Sequence, residues 1–374
     1  MSIRILHTAD WQLGKPFARF PAEVRSALSE ARLDVIDRIG AVAQEHSARH
    51  VLVAGDVFDN VDPGDRILVQ ALSRMTRAPA TWWLMPGNHD HARADGLWSR
   101  VRAKAPDNVR VVDDQAEAIE LEDQAWLLPA PLEHRRTRDD PTTAFAQMAT
   151  PAGAVRIGLA HGSITEFGGS SQATNLIPPD RAQTAGLDYL ALGDWHGHLQ
   201  INERTAYSGT PEVDGFGKDE PGSVIVAEIA PGAAPCLQRV ETGRFRWLSR
   251  QWDLLGREDF THSLRSLRES GHLDRLLLDL TLRGSASLAD RVAILNALDE
   301  LAHELRWLGV SHDQLMARPT QDDLAQIDVQ GTLAAAAATL QAQVDAGGPG
   351  AALASAALER LYIEAMRVQN EAVT

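Results

Sequence analysis

Short apolar runs and amphipathic stretches alternate over the first part of the chain. Apolar runs at 3–8, 50–54 and 81–85 predict buried strands, and each run ends in a turn that carries polar side chains. Apolar residues recur every three or four positions over 23–45, and a second helix is predicted over 64–77. This β-α-β-α-β order predicts a sheet with crossover helices, in which the loops after the strands carry the functional groups.

Shorter strands dominate the next part of the chain. They are predicted at 109–112, 125–128, 155–160, 188–192, 205–207 and 223–229. A turn-rich segment at 230–235 then marks a break. Beyond it, a helix around Leu264 and Leu267, an alternating strand at 276–282 and a helix over 288–308 predict a small α+β unit.

Alanine-rich helices are predicted near the end of the chain, on either side of the glycine-rich turn at 347–350. In the last helix one apolar stripe is formed by Leu353, Ala357, Leu361, Ala365 and Val368. The stripe either packs onto the body of the protein or docks a partner, and both interpretations stay open. We expect three parts, at residues 1–243, 244–318 and 319–374.

Composition limits the possible functions. The 374 residues carry a net charge of −15, which argues against a protein that coats nucleic acid, but not against a nuclease that holds DNA locally. The single cysteine, Cys236, excludes an intramolecular disulfide and a thiolate metal site. No apolar run approaches the roughly 18 residues of a membrane span, and the N-terminus has no signal-peptide pattern. We therefore expect a cytoplasmic protein with no membrane partner.

Five polar clusters follow predicted strands. They are Asp10/Gln12, Asp56, Asn88/His89, His161 and Asp194/His196/His198. Each cluster alone is typical of a turn, a helix cap or a buried histidine. Together they match the needs of two divalent cations about 3.5–4 Å apart, which require a bridging carboxylate with oxygen and nitrogen ligands on either side. Such donors suit Mn²⁺, Mg²⁺ or Fe²⁺ better than a structural zinc.

The motifs resemble those of a known family. They are Asp10-Trp11-Gln12, Gly55-Asp56, Gly87-Asn88-His89-Asp90, His161-Gly162 and Gly193-Asp194-Trp195-His196, and they resemble the calcineurin-like metallophosphoesterases. The segments 7–14 and 207–211 resemble the Mre11/SbcD branch of DNA repair nucleases. The resemblance covers roughly residues 1–230. It implies a four-layer α/β/β/α nuclease core over 1–243, a small α+β capping domain over 244–318, and a helical partner-binding or packing segment over 319–374.

The resemblance also implies roles for the motif residues. Asp56 would bridge two ions, Asp10 would bind the first ion, and Asn88 and His161 would bind the second. The metal ions would be two divalent cations, with Mn²⁺ preferred and Mg²⁺ or Fe²⁺ as alternatives.

His89 and Asp90 are the expected catalytic pair. His89 would contact the scissile phosphate and stabilise charge or protonate the leaving oxygen. Asp90 would orient the His89 ring, as a carboxylate commonly does for an imidazole.

Two positions depart from the family pattern. The first motif of the family is Asp-x-His, but Gln12 replaces the histidine and offers a weaker neutral oxygen, if it coordinates at all. The last motif is normally Gly-His-x-His, which alignment on the preceding strand assigns to Asp194 and His196, while a shift of two residues assigns it to His196 and His198. We favour the first alignment and expect Zn²⁺ to be disfavoured at such oxygen-rich sites.

The substrate is inferred mainly from the resemblance. Lys15, Arg19, His91 and Arg93 flank the motifs and are candidates for binding DNA phosphates. The leading hypothesis is a Mn²⁺-dependent DNA exonuclease in DNA repair or end processing, acting as a homodimer with a Rad50/SbcC-like ATPase. The alternatives are a phosphodiesterase or phosphatase acting on a small molecule or nucleotide, and a weakly active structural subunit of an ATPase complex.

Overall fold

The computed structural model describes residues 2–94, 96–114, 117–122, 124–165, 174–217, 219–318, 320, 323 and 333–371. The chain divides into two compact units, Met1–Arg246 and Trp247–Thr374. We call them the first unit and the second unit.

Six strands form the first sheet of the first unit. Their spatial order is β14 (Cys236–Glu241), β13 (Ser223–Ile229), β1 (Ile3–Thr8), β2 (His50–Val53), β3 (Thr81–Leu84) and β4 (Val109–Val111). Strands β1 to β4 are parallel because helices α1 (Ala22–Glu45), α2 (Asp65–Met75) and α3 (Leu97–Lys104) return the chain after each strand. The break expected at 230–235 is only the turn between the antiparallel strands β13 and β14, so the sheet extends one strand further than predicted.

A second sheet, also of six strands, completes the core of the first unit. Its spatial order is β11 (Leu199–Asn202), β12 (Thr205–Tyr207), β10 (Tyr189–Gly193), β7 (Val155–His161), β6 (Ala125–Ala130) and β5 (Ile119–Glu122). The four central strands are parallel. A small parallel ladder of β8 (Ser163–Ile164) and β9 (Leu176–Ile177) lies beyond the end of β7.

Three apolar clusters hold these layers together. Because side chains alternate between the two faces of a strand, Ile5 of β1 packs between the two sheets, whereas Leu6 packs beneath the helices. The outer face of the second sheet is covered by the 3₁₀ turn Thr143–Ala146 and by α4 (Arg181–Thr184), around the buried Phe145. The predicted four-layer α/β/β/α core is therefore confirmed.

The second unit is a mixed α+β structure. It contains a three-stranded sheet of β15 (Arg246–Leu254), β16 (Leu276–Ala286) and β17 (Trp307–Ala317), with α5 (Arg257–Glu269) and α6 (Leu288–Glu304). The helix predicted over 288–308 is too long, because Leu305 adopts an extended conformation with ψ 156° and the chain enters β17. The apolar residues at 307 and 308 pair with β16, and a short apolar run cannot by itself distinguish helix from strand.

Two helices, α7 (Ala334–Ala346) and α8 (Ala351–Glu371), end the described chain. The face of α8 that packs on α6 and α7 contains Leu358, Tyr362 and Ala365. Of the apolar stripe predicted for this helix, Ala365 packs on the body of the protein, whereas Leu353 and Val368 at its ends are 77% and 64% exposed. No helix among the described residues is long and apolar enough to cross a membrane.

Candidate metal centre

Strained turns place the candidate ligands. Four candidate ligands have positive φ values, in the left-handed region that residues other than glycine rarely adopt. They are Asp10 at 56°, Gln12 at 43°, Asp56 at 53° and Asp194 at 106°. Each such residue costs of order 1–3 kcal/mol and persists where the surrounding structure requires it, often at functional sites. The loops after β1 and β2 are joined by hydrogen bonds from the Asp10 amide to the Gly55 carbonyl, at 3.1 Å, and from the Gln12 amide to the Asp56 carbonyl, at 2.8 Å.

Two motif glycines allow the backbone to approach the ligand side chains closely. A Cβ atom on Gly55 would lie 2.3 Å from Nδ1 of His161, and a Cβ atom on Gly87 would lie 2.3 Å from Oδ1 of Asp56. Both distances are far below van der Waals contact, so any side chain at these positions would displace a candidate ligand. The glycines of the motifs are therefore required by the geometry of the site.

Three buried side chains form a cluster with the geometry of a cation site. One ligand atom from each of Asp10, Asp56 and His161 lies within 4.8 Å of the others. Nδ1 of His161 lies 2.8 Å from the Ala54 carbonyl, which only accepts hydrogen bonds, so Nδ1 carries the proton. The other ring nitrogen, Nε2, lies 3.5 Å from Asp56 Oδ1 and 3.8 Å from Asp194 Oδ1, and it can bind a metal ion once its own proton is released.

Two buried polar atoms at this cluster have no hydrogen-bond partner among the described residues. They are Nε2 of His161 and Oδ1 of Asn88. The Asn88 amide group donates to Asp194 Oδ1 at 2.9 Å, which fixes the orientation of the side chain. A buried polar atom without a partner costs about 1–3 kcal/mol, and a divalent cation would satisfy both atoms. The residues present therefore fit a metal ion, with Asp10, Asp56, Asn88 and His161 as its holders.

Electrostatics favour a positive charge at the same place. Burial raises the pKa of Asp10, to about 6, and the carboxylates of Asp56 and Asp194 act in the same direction. Burial lowers the pKa of His161, but the carboxylates of Asp56, Asp10 and Asp194 outweigh it and the net pKa is raised to about 9. The three carboxylates thus stabilise positive charge at His161.

His89 lies beside this cluster, but its orientation does not depend on Asp90 as predicted. Nδ1 of His89 lies 2.9 Å from the Asp59 carbonyl, so Nδ1–H donates to it, while the His89 amide donates to Asp56 Oδ1 at 2.8 Å. Asp90 is fully buried and accepts from the amides of Phe58 and Gly87, at 3.0 and 2.7 Å. Asp90 therefore holds the loop that carries His89, because the turn directs its carboxylate towards the backbone.

Asp194 and His196 occupy different parts of the site. The Asp194 amide donates to both oxygens of Asp10 at 3.2 Å, and its carboxylate accepts from Ser163 as well as from Asn88. Asp194 thus joins Asp10, Asp56, Asn88 and His161, and we call these five residues the metal cluster. His196 instead contacts Gln12, with 3.3 Å between the two Nε2 atoms.

His198, the alternative ligand, has a buried Nδ1 atom without a hydrogen-bond partner among the described residues. It lines a cavity of about 250 Å³ together with His196 and Asp214. Burial and the nearby Arg239 lower the pKa of His198. The contacts of Asp194 with Asp10 and Asn88 favour the alignment that pairs Asp194 with His196.

Gln12 and His196 are linked to charged groups, of which the sequence analysis identified only Lys15, as a candidate for binding DNA. Oε1 of Gln12 accepts from Lys15 Nζ at 2.8 Å, and Nδ1 of His196 lies 3.1 Å from Asp214 Oδ1. Lys15 also forms a salt bridge with Asp214, and Nη2 of the buried Arg32 lies 3.5 Å from Asp214 Oδ2. We call Gln12, Lys15, Arg32, His196 and Asp214 the lysine network.

Asp214 is ionised within this network. Burial raises the pKa of Asp214, but the hydrogen bond from His196 and the charges of Arg32 and Lys15 outweigh it, so the net pKa lies well below its usual range. The sequence offers one signal for Arg32, which follows the apolar Leu28 by four residues on α1 and thus lies on the buried face of that helix. For Asp214, the sequence offers only its position three residues after the segment 207–211, which resembles the Mre11/SbcD branch.

The candidate DNA-binding residues lie in two places. The guanidinium of Arg19 lies over the rings of Phe20 and Phe216, 4.7 and 5.0 Å from their centroids. His91 and Arg93 line an open cavity of about 680 Å³, and Nδ1 of His91 lies 3.4 Å from the carbonyl of the candidate ligand Asn88. This second group is therefore directly next to the metal cluster.

The chain is similar to several known proteins. Residues 3–226 match the family model described as calcineurin-like phosphoesterase. A Bacillus subtilis protein that is named as a subunit of the nuclease SbcCD is 37% identical over 93 residues, which cover 24% of this chain and 22% of that protein. A protein of the same name from Rhodobacter capsulatus is 29% identical, with 62% of this chain and 68% of that protein covered.

Among solved structures, TT1561 of Thermus thermophilus is similar with a TM-score of 0.42 and 12% identity, covering 65% of this chain and 100% of that one. The family model matches more than half of the chain and includes all the motif residues up to Asp214. The chain therefore belongs to the calcineurin-like phosphoesterase family of metal-binding hydrolases.

Proposed function

We propose that this protein is a metal-dependent DNA nuclease, an exonuclease that hydrolyses phosphodiester bonds in DNA repair or DNA end processing. The observation that carries the proposal is the pair of unsatisfied buried atoms, Asn88 Oδ1 and His161 Nε2, beside the carboxylates of Asp10 and Asp56. The similarity to two proteins named as nuclease subunits supports DNA as the substrate.

Asp10, Asp56, Asn88 and His161 would hold the divalent ion, for which we propose Mn²⁺, with Mg²⁺ or Fe²⁺ as alternatives. When bound, the ion lowers the pKa of a coordinated water and stabilises charge on the phosphate. Asp56 has a second role, because its Oδ1 accepts a hydrogen bond from the backbone amide of His89. This bond joins the metal cluster to His89, the candidate acid.

His89 would act on the leaving oxygen. Because Nδ1–H of His89 donates to the Asp59 carbonyl, Nε2 is the nitrogen that carries a second proton when the ring is charged. That proton can be given to the oxygen that departs from the phosphate, and the charged ring stabilises the anion before transfer. His89 is half-buried, so substrate can reach it.

DNA would be held near the metal cluster by the cavity that contains His91 and Arg93. His134 lines the same cavity. Contacts of this kind bind backbone phosphates and do not read sequence. Both relatives are named as subunits of a nuclease, and we propose that this chain likewise acts as a homodimer with a Rad50/SbcC-like ATPase.

A second candidate function is a weakly active structural subunit of such a complex. The observation that favours it is the lysine network, which uses Gln12 and His196 in hydrogen bonds instead of leaving them open to a metal.

The test is cleavage of linear duplex and single-stranded DNA with Mn²⁺ by wild type, His89→Ala and Asp56→Asn. Asparagine is chosen at position 56 because it tolerates the left-handed backbone there. Both variants should lose cleavage, with Mn²⁺ binding retained by His89→Ala and lost by Asp56→Asn. His46→Ala, on the half-exposed end of α1, is the matched control and should cleave as wild type does.

Two results would contradict the proposal. If wild type hydrolyses bis-p-nitrophenyl phosphate but leaves DNA intact, the substrate is a small phosphodiester. If neither substrate is hydrolysed although Mn²⁺ is bound, the protein is a structural subunit.

A further inference from the structure

The two ends of the expected two-ion centre differ in what their ligand atoms do. At one end, Asn88 Oδ1 and His161 Nε2 have no partner among the described residues. At the other end, where the family resemblance puts the first ion, the ligand atoms of Gln12 and His196 are engaged in the lysine network.

The amide of Gln12 is fixed at both of its polar atoms. A lysine ammonium only donates hydrogen bonds, so the atom that faces Lys15 at 2.8 Å must be the oxygen Oε1. The amide nitrogen Nε2 then faces His196. The only atom of Gln12 that could bind a metal ion is therefore used by a cation of the protein itself.

His196 is fixed in the same way. Its Nδ1 faces the carboxylate of Asp214, so Nδ1 carries the proton. The other nitrogen, Nε2, is left with a lone pair, which accepts from the Gln12 amide nitrogen at 3.3 Å. A metal ion at this place would have to displace both Lys15 and the Gln12 amide.

Charge opposes an ion at this place as well. A small divalent ion on Gln12 Oε1 would lie about 2.1 Å from that oxygen, and thus close to the Lys15 ammonium on the same atom. The repulsion is only partly screened, because Lys15 and Asp214 are 28% and 10% exposed at their side chains. Arg32, which keeps its charge in proteins, adds a second fixed cation on Asp214.

We propose that this protein works with a single divalent ion, held by Asp10, Asp56, Asn88 and His161, and that the Lys15 ammonium replaces the first ion of the expected pair. Two of the three N–H groups of Lys15 are directed at Gln12 and Asp214, which leaves the third for a phosphate oxygen. Lys15 is then a catalytic residue that binds the phosphate, and Asp214 is the residue that positions it.

The ion count is measured first. Metal-free protein is titrated with Mn²⁺, with free Mn²⁺ followed by electron paramagnetic resonance and heat by calorimetry. Wild type should bind one ion per chain, and Gln12→His should bind two. Histidine restores the imidazole of the family motif, and its side chain has no carbonyl oxygen that could accept a hydrogen bond from Lys15. Gln200→His, which adds a histidine at an exposed position of β11, should bind one.

A gain of an ion in Gln12→His cannot result from misfolding. Two ions of similar affinity in wild type would overturn the proposal. A count that stays at one in Gln12→His would overturn the role given to Gln12 and Lys15.

The role of Lys15 is measured next, with bis-p-nitrophenyl phosphate. Lys15→Met should keep one bound ion with unchanged affinity and lose about tenfold to a hundredfold in kcat. Lys15→Arg should recover part of the loss, because the cation is restored. Unchanged kcat in Lys15→Met, or loss of the bound ion, would contradict the proposal.

This inference rests on the proposed function only for the reaction, which is phosphodiester hydrolysis. The ion count uses no substrate, and bis-p-nitrophenyl phosphate contains no DNA. A protein that binds one ion and hydrolyses this compound but leaves DNA intact would uphold the single-ion centre and refute the nuclease assignment.

Discussion

The metal cluster and the lysine network are neighbours, yet their buried carboxylates are neutralised in different ways. In the metal cluster, three carboxylates surround His161 and two buried polar atoms are left without a partner among the described residues. In the lysine network, the carboxylate of Asp214 faces Lys15, Arg32 and His196. The metal cluster therefore requires a cation from outside the chain, whereas the lysine network is balanced by positively charged side chains of the protein itself.

This difference shows what a family motif does and does not determine. The backbone turns of both regions are of the same kind, with left-handed residues at Asp10 and Gln12. The side chain at position 12 nevertheless changes the local chemistry, since glutamine offers an oxygen that a lysine can occupy. If the single-ion proposal holds, the number of bound ions differs within one fold.

The largest effect is expected from Asp56→Asn, which removes a carboxylate from the metal cluster. We expect phosphodiester hydrolysis to fall by about three orders of magnitude, as when a main transition-state stabiliser is removed. Mn²⁺ binding should be lost with it, measured by calorimetry on the same sample. Retained Mn²⁺ affinity would show that the ion is held elsewhere.

His89→Ala should have the next largest effect. General acid catalysis contributes roughly 10²–10⁴-fold, so we expect a loss of that size in kcat with the Mn²⁺ affinity unchanged. A variant that lost Mn²⁺ as well would place His89 among the ligands.

Asp214→Asn should destabilise the lysine network without touching the metal cluster. Removing one partner of a buried charged group costs about 3–5 kcal/mol when the other charges stay buried, and Arg32 and Lys15 would both lose their carboxylate. Urea unfolding measures the loss, and Mn²⁺ affinity should change little. Asp219→Asn, an exposed change nearby, is the control.

The pH dependence of stability should separate metal-free from Mn²⁺-bound protein. The folded pKa of His161, about 9, lies above its ordinary value of 6.5, so the folded state binds the extra proton. Its contribution to stability is fully present below pH 6.5 and is lost as the pH rises through 9. Thermal unfolding should show this decline without metal, and Mn²⁺ should abolish it because the ion replaces the proton. His161→Gln should lack the decline in both conditions.

The smallest effect is expected from a substitution in the cavity that contains His91 and Arg93. Arg93→Gln should weaken DNA binding several-fold and reduce the slope of log affinity against log salt by about 1. Hydrolysis of bis-p-nitrophenyl phosphate should be unaffected. Arg25→Gln, an exposed change of equal charge on α1, should leave both the affinity and the slope unchanged.

Local patterns were sufficient to predict the core and the metal cluster. Each candidate ligand follows an apolar run, and parallel strands bring Asp10, Asp56 and Asn88 to one edge of the first sheet. His161 ends a strand of the second sheet and was grouped with them through the family motifs. The end of α6 could not be placed, because the apolar residues around Trp307 suit a helix or a strand equally well.

Long-range polar contacts were the part that the sequence did not reveal. Lys15 and Asp214 are 199 positions apart, and no periodicity connects them. The role of Asp90 was misjudged for a related reason. Adjacency in sequence suggested a contact with His89, whereas the turn directs the Asp90 carboxylate to the amides of Phe58 and Gly87.

The contrast between the two regions is tested most directly by a crystal structure of the Mn²⁺-loaded protein, with anomalous scattering recorded at the manganese edge. We expect one anomalous peak, coordinated by Asp10, Asp56, Asn88 and His161, with Lys15 still bonded to Gln12 and Asp214. Two peaks about 3.5–4 Å apart, with Lys15 displaced from Gln12, would contradict the single-ion centre.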